Sequence, residues 1–400
     1  MKRKVIGLML LAAAALFIAA ALVLMLHGRN AEPPQRKDPA AASADVQTKP
    51  PQPTPFSVEG DGVADLHFAR RSASQIALTW SEPDGQELEH VTVLRRAASG
   101  GDWERRAELD PGVCAYADTL ESTEPQQYLY RVDVLPAHSE AAIRGDAIPA
   151  SNVSVCLDPG HYLGSSALSG TELYGYGEGL FTLRLGLELR AVLERDYGIA
   201  VTMTRETDDI TLDGYTNAEL DNHHLSLRGM YAAGQDLFVS LHTNANQDNV
   251  NGAPTCNQPV AINKTIVFVN QVALNSERGI RIANAVLTRL SAENYALGLS
   301  VTDRCDLAEV GAAHDWSDAF NDSVDTPGAV CYRGGEEQKD YYGVLRGAAS
   351  VGVPGLIVEH GFHTVAEVRK AAMQGDLAVR WAQADAAGIA EGFGFTRVHN

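Results

Sequence analysis

Among the residues of types that bind metal ions or move protons, four stand at positions that could do chemistry, and three of them close a short apolar run. Val153-Ser154-Val155-Cys156-Leu157 passes through Asp158-Pro159-Gly160 into His161. Asp236-Leu237-Phe238-Val239-Ser240-Leu241 ends at His242, and Gly355-Leu356-Ile357-Val358 ends at Glu359. The fourth, Glu178, opens an amphipathic segment. A lone buried histidine is more often a satisfied core residue than a ligand, but three polar groups at one topological position are costly to bury without a partner or an ion. His161 is therefore read as a zinc ligand. Two histidines and one carboxylate make an open catalytic zinc site whose fourth position is left to water. The ion lowers the pKa of that water to roughly 7 and polarises a carbonyl. The second carboxylate is then free to take the water's proton and deliver it to a departing amine. Such a set hydrolyses an amide with zinc as its only cofactor.

These residues need a scaffold that brings them together. Apolar runs of this length, bounded by turn residues, read as buried strands. In Asp158-Pro159-Gly160 the proline fixes φ, the glycine allows positive φ and the aspartate can bond the turn backbone, so His161 projects from the carboxyl end of a central strand. Phe181, Leu185, Leu189, Val192 and Leu193 fall at helical spacing after Glu178, and Tyr197-Gly198 ends that helix. Residues 199–203 and 265–270 read as further strands, and 225–233, 272–295 and 377–392 as helices. Residues 296–340 show no clear period, which in such domains marks a functional loop or insertion. The fold class implied for residues 152–394 is α/β, a mostly parallel sheet with helices on both faces. Parallel strands bring their carboxyl ends to one edge, where distant residues converge and ligands sit.

At 400 residues the chain exceeds one ordinary domain. A net charge of −19 argues against nucleic acid as a partner. Met1-Lys2-Arg3-Lys4 precedes an uncharged apolar run of 22 residues, 5–26. At about 1.5 Å per residue it is long enough to cross a bilayer, and longer than the ~7–15 apolar residues of a cleaved signal. Residues 1–27 are accordingly expected to be a transmembrane anchor, with a cleaved signal as the alternative. The basic start keeps the amino end cytoplasmic and puts the rest of the chain outside. Residues 28–55 carry Pro33, Pro34, Pro39, Pro50, Pro51, Pro53 and Pro55 and almost no large apolar side chains, the composition of a semi-rigid spacer. In residues 56–149, Gln75-Ile76-Ala77-Leu78-Thr79-Trp80, His90-Val91-Thr92-Val93-Leu94-Arg95 and Tyr128-Leu129-Tyr130-Arg131-Val132 alternate as strands of an all-β sandwich. This stretch resembles a fibronectin type III domain with Trp80 and Tyr130 as core aromatics, a spacer or docking module without chemistry. Five cysteines fit an exported protein. Cys156 is expected to be a small buried group, while pairing among Cys114, Cys256, Cys305 and Cys331 stays open.

The blocks VSVCLDPGH, GEGLFTLRLGLEL, VTMTRETDD, LSLRGMYAAGQDLFVSLHTNAN and GVPGLIVEHGF resemble, in order, those of the zinc-dependent N-acetylmuramoyl-L-alanine amidases of the bacterial cell-wall and sporulation type. The resemblance covers about residues 152–394. It implies His161, Glu178 and His242 as zinc ligands, Glu359 as the catalytic glutamate, and peptidoglycan as partner and substrate, cut between muramic acid and the first L-alanine of the stem peptide. Glu172 competes for the second ligand position; Glu178 is preferred because it directly precedes the amphipathic helix. The chain departs from the family in following His161 with Tyr162-Leu163-Gly164, and in placing His360 and His363 beside Glu359. His363 is expected to be solvated or structural, His223-His224 a surface pair, and Asp208 and Asp209 turn residues. Arg205 and Arg228 are as readily packing or salt-bridge residues as substrate contacts, and Asn244 is a candidate to bond ligand or loop backbone. Two rival readings are a zinc peptidase cutting within the stem peptide and a silent wall-binding protein that uses the β module.

Overall fold

The computed structural model describes residues 62–163, 175–245, 248–250, 253–255, 262–299, 308–317, 323, 326–334 and 340–398. The expected anchor and proline-rich spacer lie outside these residues, as do Glu172, Cys256 and Cys305. Among the described residues no helix is long and apolar enough to cross a membrane.

The alternating segments come first, as β1 (Ala64–Ser72), β2 (Gln75–Ser81), β3 (Leu88–Ala97), β4 (Glu104–Leu109), β5 (Ala115–Thr119), β6 (Gln127–Pro136) and β7 (Ile148–Ser151). All pair antiparallel, in two sheets of order β1-β2-β5 and β4-β3-β6-β7. Ile76, Leu78 and Trp80 alternate into a core shared with Val91, Val93, Tyr130 and Val132. The buried Tyr130 hydroxyl is satisfied by Asp118 at 2.7 Å, which also accepts from Arg95 at 2.9 Å.

Only Asn152 and Val153 separate β7 from β8 (Ser154–Pro159). Asn152 stitches this junction, its amide donating to the carbonyls of Ala73 and Glu124 and its Oδ1 accepting from Gln126 N. Arg70 of β1 donates to Asn152 O at 2.7 Å and pairs with Asp236 at 3.1 Å. After β8 the order is α1 (Glu178–Tyr197), β9 (Ala200–Met203), β10 (Thr211–Leu212), β11 (Tyr215–Thr216), α2 (Asn217–His223), α3 (Leu225–Met230), β12 (Leu237–Asn244), β13 (Asp248–Val250), β14 (Ala253–Thr255) and β15 (Ile266–Val269). Then follow α4 (Gln271–Leu274), α5 (Glu277–Ala296), β16 (Glu309–Asp315), β17 (Ala329–Tyr332), α6 (Gly343–Ser350), β18 (Gly355–Phe362), α7 (Ala366–Gln374) and α8 (Leu377–Phe393).

Seven strands make one sheet of order β16-β17-β15-β18-β12-β8-β9. Its neighbours are parallel except for β15 against β18. The sheet is thus mixed and mostly parallel. Leu356, Ile357 and Val358 of β18 are consecutive and all buried, so both faces are covered there, as a central parallel strand requires. Helix α8 packs on both α1 and α5, and α3 packs on α6.

Three expectations need correction. The single helix over 272–295 is two, because Asn270 caps α4 (Ala273 N to Oδ1, 2.9 Å) and Ser276 caps α5 (Gly279 N to Oγ, 3.2 Å). Polar caps of this kind end one helix and start another whatever the apolar period. Residues 296–340 contain strands β16 and β17; β16 is exposed along most of its length and so carries no alternation to read. Cys331 sits buried in β17 rather than in an irregular loop, and it, Cys114 and Cys156 are free thiols.

Candidate metal centre

Strands β8, β12 and β18 are neighbours, so the residues at their carboxyl ends share one edge. Leu241 is in register with Pro159, and His242 with Glu359. Glu178 reaches the same place from the first turn of α1. Its carboxylate divides between the two imidazoles: Oε2 lies 3.4 Å from His161 Nε2, and Oε1 lies 3.3 Å from His242 Nδ1. The two rings stand edge to face with centroids 4.8 Å apart. One donor atom from each of the three residues lies within 4.8 Å of the others. The Glu178 side chain is 3% exposed, against 18% and 19% for the histidines, so the cluster is closed below and open above. Burial pushes the Glu178 carboxyl up, but His161 and His242 beside it outweigh that and hold it at about 2. Burial likewise pushes His242 down, toward the neutral imidazole that binds metals. Two imidazole nitrogens and a carboxylate within mutual reach are the donor set of a zinc ion with one position left open. The residues fit that group.

The turn that presents His161 works differently from the sequence reading. The left-handed residue is His161 itself, at φ 58°, not Gly160. Gly160 is required by space: a Cβ there would lie 2.4 Å from His242 Cε1 and 2.6 Å from Leu241 O. Asp158 does not bond the turn backbone. It is fully buried and accepts from Thr204 Oγ1 (2.6 Å), Arg228 Nε (2.8 Å) and Ser240 Oγ (2.7 Å). Burial alone would raise its pKa, and Arg228 with these hydroxyls holds it below the usual value. Arg228 also donates to Pro159 O at 2.7 Å and to Asp221 at 2.9 Å. Arg205 donates to Pro159 O at 3.0 Å, to Gly160 O at 3.1 Å and to Gly179 O. Both arginines thus bracket the His161 turn, and Arg205 ties it to the start of α1.

Several groups behind the ligands had no mark in the sequence reading. Asp221 on α2 places Oδ2 3.8 Å from His161 Nδ1; a carboxylate behind a ligating histidine fixes its tautomer and orientation. Thr243 N donates to Glu178 Oε1 at 2.8 Å. Its hydroxyl meets Tyr176 OH at 2.8 Å and His363 Nδ1 at 2.9 Å, and the Tyr176 and His363 rings stack at 5.4 Å. His363 is buried, in a structural rather than solvated position. Glu359, opposite His242, has a buried Oε2 with no hydrogen-bond partner among the described residues. Burial, then the charge of Glu178, pushes its pKa well above the usual carboxylate range. A cleft of about 230 Å³ opens over His161 and His242, walled by Tyr162, Asp221, Leu225 and Val344.

The remaining candidates stay outside this cluster. Asp208 and Asp209 are exposed turn residues, Asp209 accepting from Asn217 at 2.7 Å. The His223 and His224 rings lie 6.5 Å apart at 78°, and His224 stacks on Tyr215 instead. Asn244 Oδ1 accepts from Ala245 N and its carbonyl from His363 N, so it bonds the loop backbone.

An α/β sheet whose carboxyl edge gathers two imidazoles, a buried carboxylate and a second glutamate defines a class: candidate metal-dependent hydrolases. The family model of N-acetylmuramoyl-L-alanine amidase (Amidase_3) matches residues 155–391, more than half of the chain. The chain belongs to that family. It is similar to the probable cell wall amidase LytH of Staphylococcus saprophyticus, 32% identical over 109 residues, a match that takes in 25% of this chain and 37% of that relative's length. Among solved structures it is similar to the N-acetylmuramoyl-L-alanine amidase AmiC2 of Nostoc punctiforme, at 21% identity, 60% of this chain, 97% of that one and a TM-score of 0.39. It is also similar to the catalytic domain of CwlV from Bacillus (Paenibacillus) polymyxa var. colistinus, at 20% identity, 61% of this chain, 99% of that one and a TM-score of 0.40.

Proposed function

We propose that this chain hydrolyses the amide between N-acetylmuramic acid and L-alanine in peptidoglycan, using zinc held by His161, Glu178 and His242. The observation that carries the proposal is the convergence of those three donors within 4.8 Å at the sheet edge where Glu359 stands opposite His242, in a chain of the amidase family. When bound, the ion supplies a Lewis acid that polarises the scissile carbonyl and acidifies a water.

The chain's own residues do the rest. Glu359 takes the proton of the attacking water and returns it to the departing L-alanine nitrogen. Burial first, and the Glu178 charge second, raise the Glu359 pKa, so a cation held by Glu178 would offset the second cause and favour the carboxylate form of Glu359. Asp221 orients His161, and Thr243 N–H fixes one Glu178 oxygen. The cleft between Tyr162 and Val344 receives the stem peptide. We further propose that residues 56–149 are a fibronectin type III-like spacer. Residues 1–27 anchor the chain in the membrane with the catalytic part outside, where peptidoglycan lies. Glu359→Gln tests the core of the proposal: it should bind zinc like the wild type and release no stem peptide from purified sacculi. Wild-type release by that variant would refute the role given to Glu359.

A further inference from the structure

The histidine that follows Glu359 has unusual surroundings. His360 is wholly buried, with Nε2 2.7 Å from Asp385 Oδ2 on α8 and Nδ1 2.9 Å from the carbonyl oxygen of His242. Its ring stacks on Trp381 at 5.3 Å, and its own carbonyl accepts from Asn294 at 2.8 Å. Trp381 donates to Asn294 Oδ1 at 2.8 Å, which closes the network. For stability alone the His360–Asp385 pair is a poor choice, since apolar residues of the same volume serve a core as well or better. What an apolar residue cannot do is donate to the His242 carbonyl.

That carbonyl lies where the β12–β18 ladder slips. His242 pairs with Glu359, but the next register is Asn244 with Phe362, so His360 and Gly361 of β18 oppose the single Thr243 of β12. Such a bulge bends its strand and re-aims the residues around it. Here Thr243 N faces Glu178 Oε1 at 2.8 Å. The side chain of His360 spans the slip and ties β18 to β12 on the ligand residue itself.

We propose that His360 is a positioning residue for the metal centre: anchored by Asp385, it holds the bulge, and through it His242 and the Thr243 amide that fixes Glu178. The activity readout rests on the amidase reading; the spectroscopic one does not. The test uses the cobalt(II)-loaded chain, with the apolar pair His360→Leu/Asp385→Leu and, separately, the isosteric Asp385→Asn, each checked for fold by circular dichroism. The double variant is expected to fold, to lose about 10–100-fold in kcat on sacculi with KM unchanged, and to show a shifted visible cobalt spectrum. Asp385→Asn, which loosens the ring's anchor without removing it, should move both readouts the same way by less. Wild-type kcat and spectrum in both variants would overturn the proposal. A wild-type chain that binds cobalt and cuts nothing would instead defeat the amidase reading, and the spectra would still decide the role of His360.

Discussion

His242 and Glu359 are register partners on adjacent parallel strands. Neighbouring strands stand about 4.8 Å apart, so the backbone sets the spacing of proposed ligand and proposed base before any side-chain torsion is chosen. Glu178 then closes the group from a different element, the amino end of α1.

Support of the ligands from behind gives the first prediction. Asp221 faces His161 Nδ1 at 3.8 Å and is itself held by Arg228 at 2.9 Å. Asp221→Ala should weaken zinc affinity about 10–100-fold, measured by competition against a chromogenic chelator, with little change in the circular dichroism of the fold.

The buried Asp158–Arg228 pair gives the second. Removing one partner of such a pair typically costs about 3–5 kcal/mol, so urea unfolding should show Asp158→Asn destabilised by that order. The folded pKa of Asp158 is depressed, chiefly by Arg228 against the pull of burial. Its stabilisation is therefore present above its unfolded pKa of about 3.9 and is lost as pH falls through the lower folded value. The wild type should lose stability below about pH 4, and Asp158→Asn should flatten that acid limb.

Glu194 on α1 has the opposite sign. It is 6% exposed with Oε2 unpartnered among the described residues, and burial pushes its pKa up to about 8. The folded chain holds this proton more tightly than the unfolded one. The contribution of Glu194 is thus complete below the unfolded value and is lost as pH rises toward about 8, at up to about 1.4 kcal/mol per pH unit. Glu194→Gln should remove that decline, seen as a smaller loss of Tm as pH rises from the unfolded carboxyl value of about 4.3 toward about 8.

The β module is fixed to the catalytic part. Besides Arg70 and Asn152, Gln127 donates to the carbonyls of Tyr197 and Thr396, and Ser151 Oγ donates to Gly198 O at 2.8 Å. Gly198, the left-handed cap of α1, leaves no room for a side chain: a Cβ would lie 2.4 Å from Ala150 N. Calorimetry should therefore show one cooperative transition for the two parts. Gly198→Ala should lower Tm and bring out a separate transition for the module.

Three of the four residues with chemistry were readable because each ends a strand whose apolar run is local, as in Phe238-Val239-Ser240-Leu241 before His242, and Glu178 because it opens an amphipathic segment. The supports were not readable, since Asp221, Tyr176 and Asp385 meet the site only through tertiary contacts and sit in no local pattern that points there. The left-handed φ of His161 was hidden for a related reason: the crowding at Gly160 comes from His242, a residue on another strand. Asn152 opens the α/β stretch in the sequence with no local pattern that marks a structural role, yet three of its side-chain bonds lock the junction. The α4–α5 break was visible in Asn270 and Ser276, but the apolar period over 272–295 outweighed those caps.

Purified sacculi digested with the zinc-loaded chain, followed by labelling of newly exposed amino groups, measure the reaction itself. New termini on L-alanine alone are expected, abolished by a chelator and restored by zinc. A new terminus on any later residue of the stem peptide, or release that survives chelation, would contradict a zinc amidase centred on His161, Glu178 and His242.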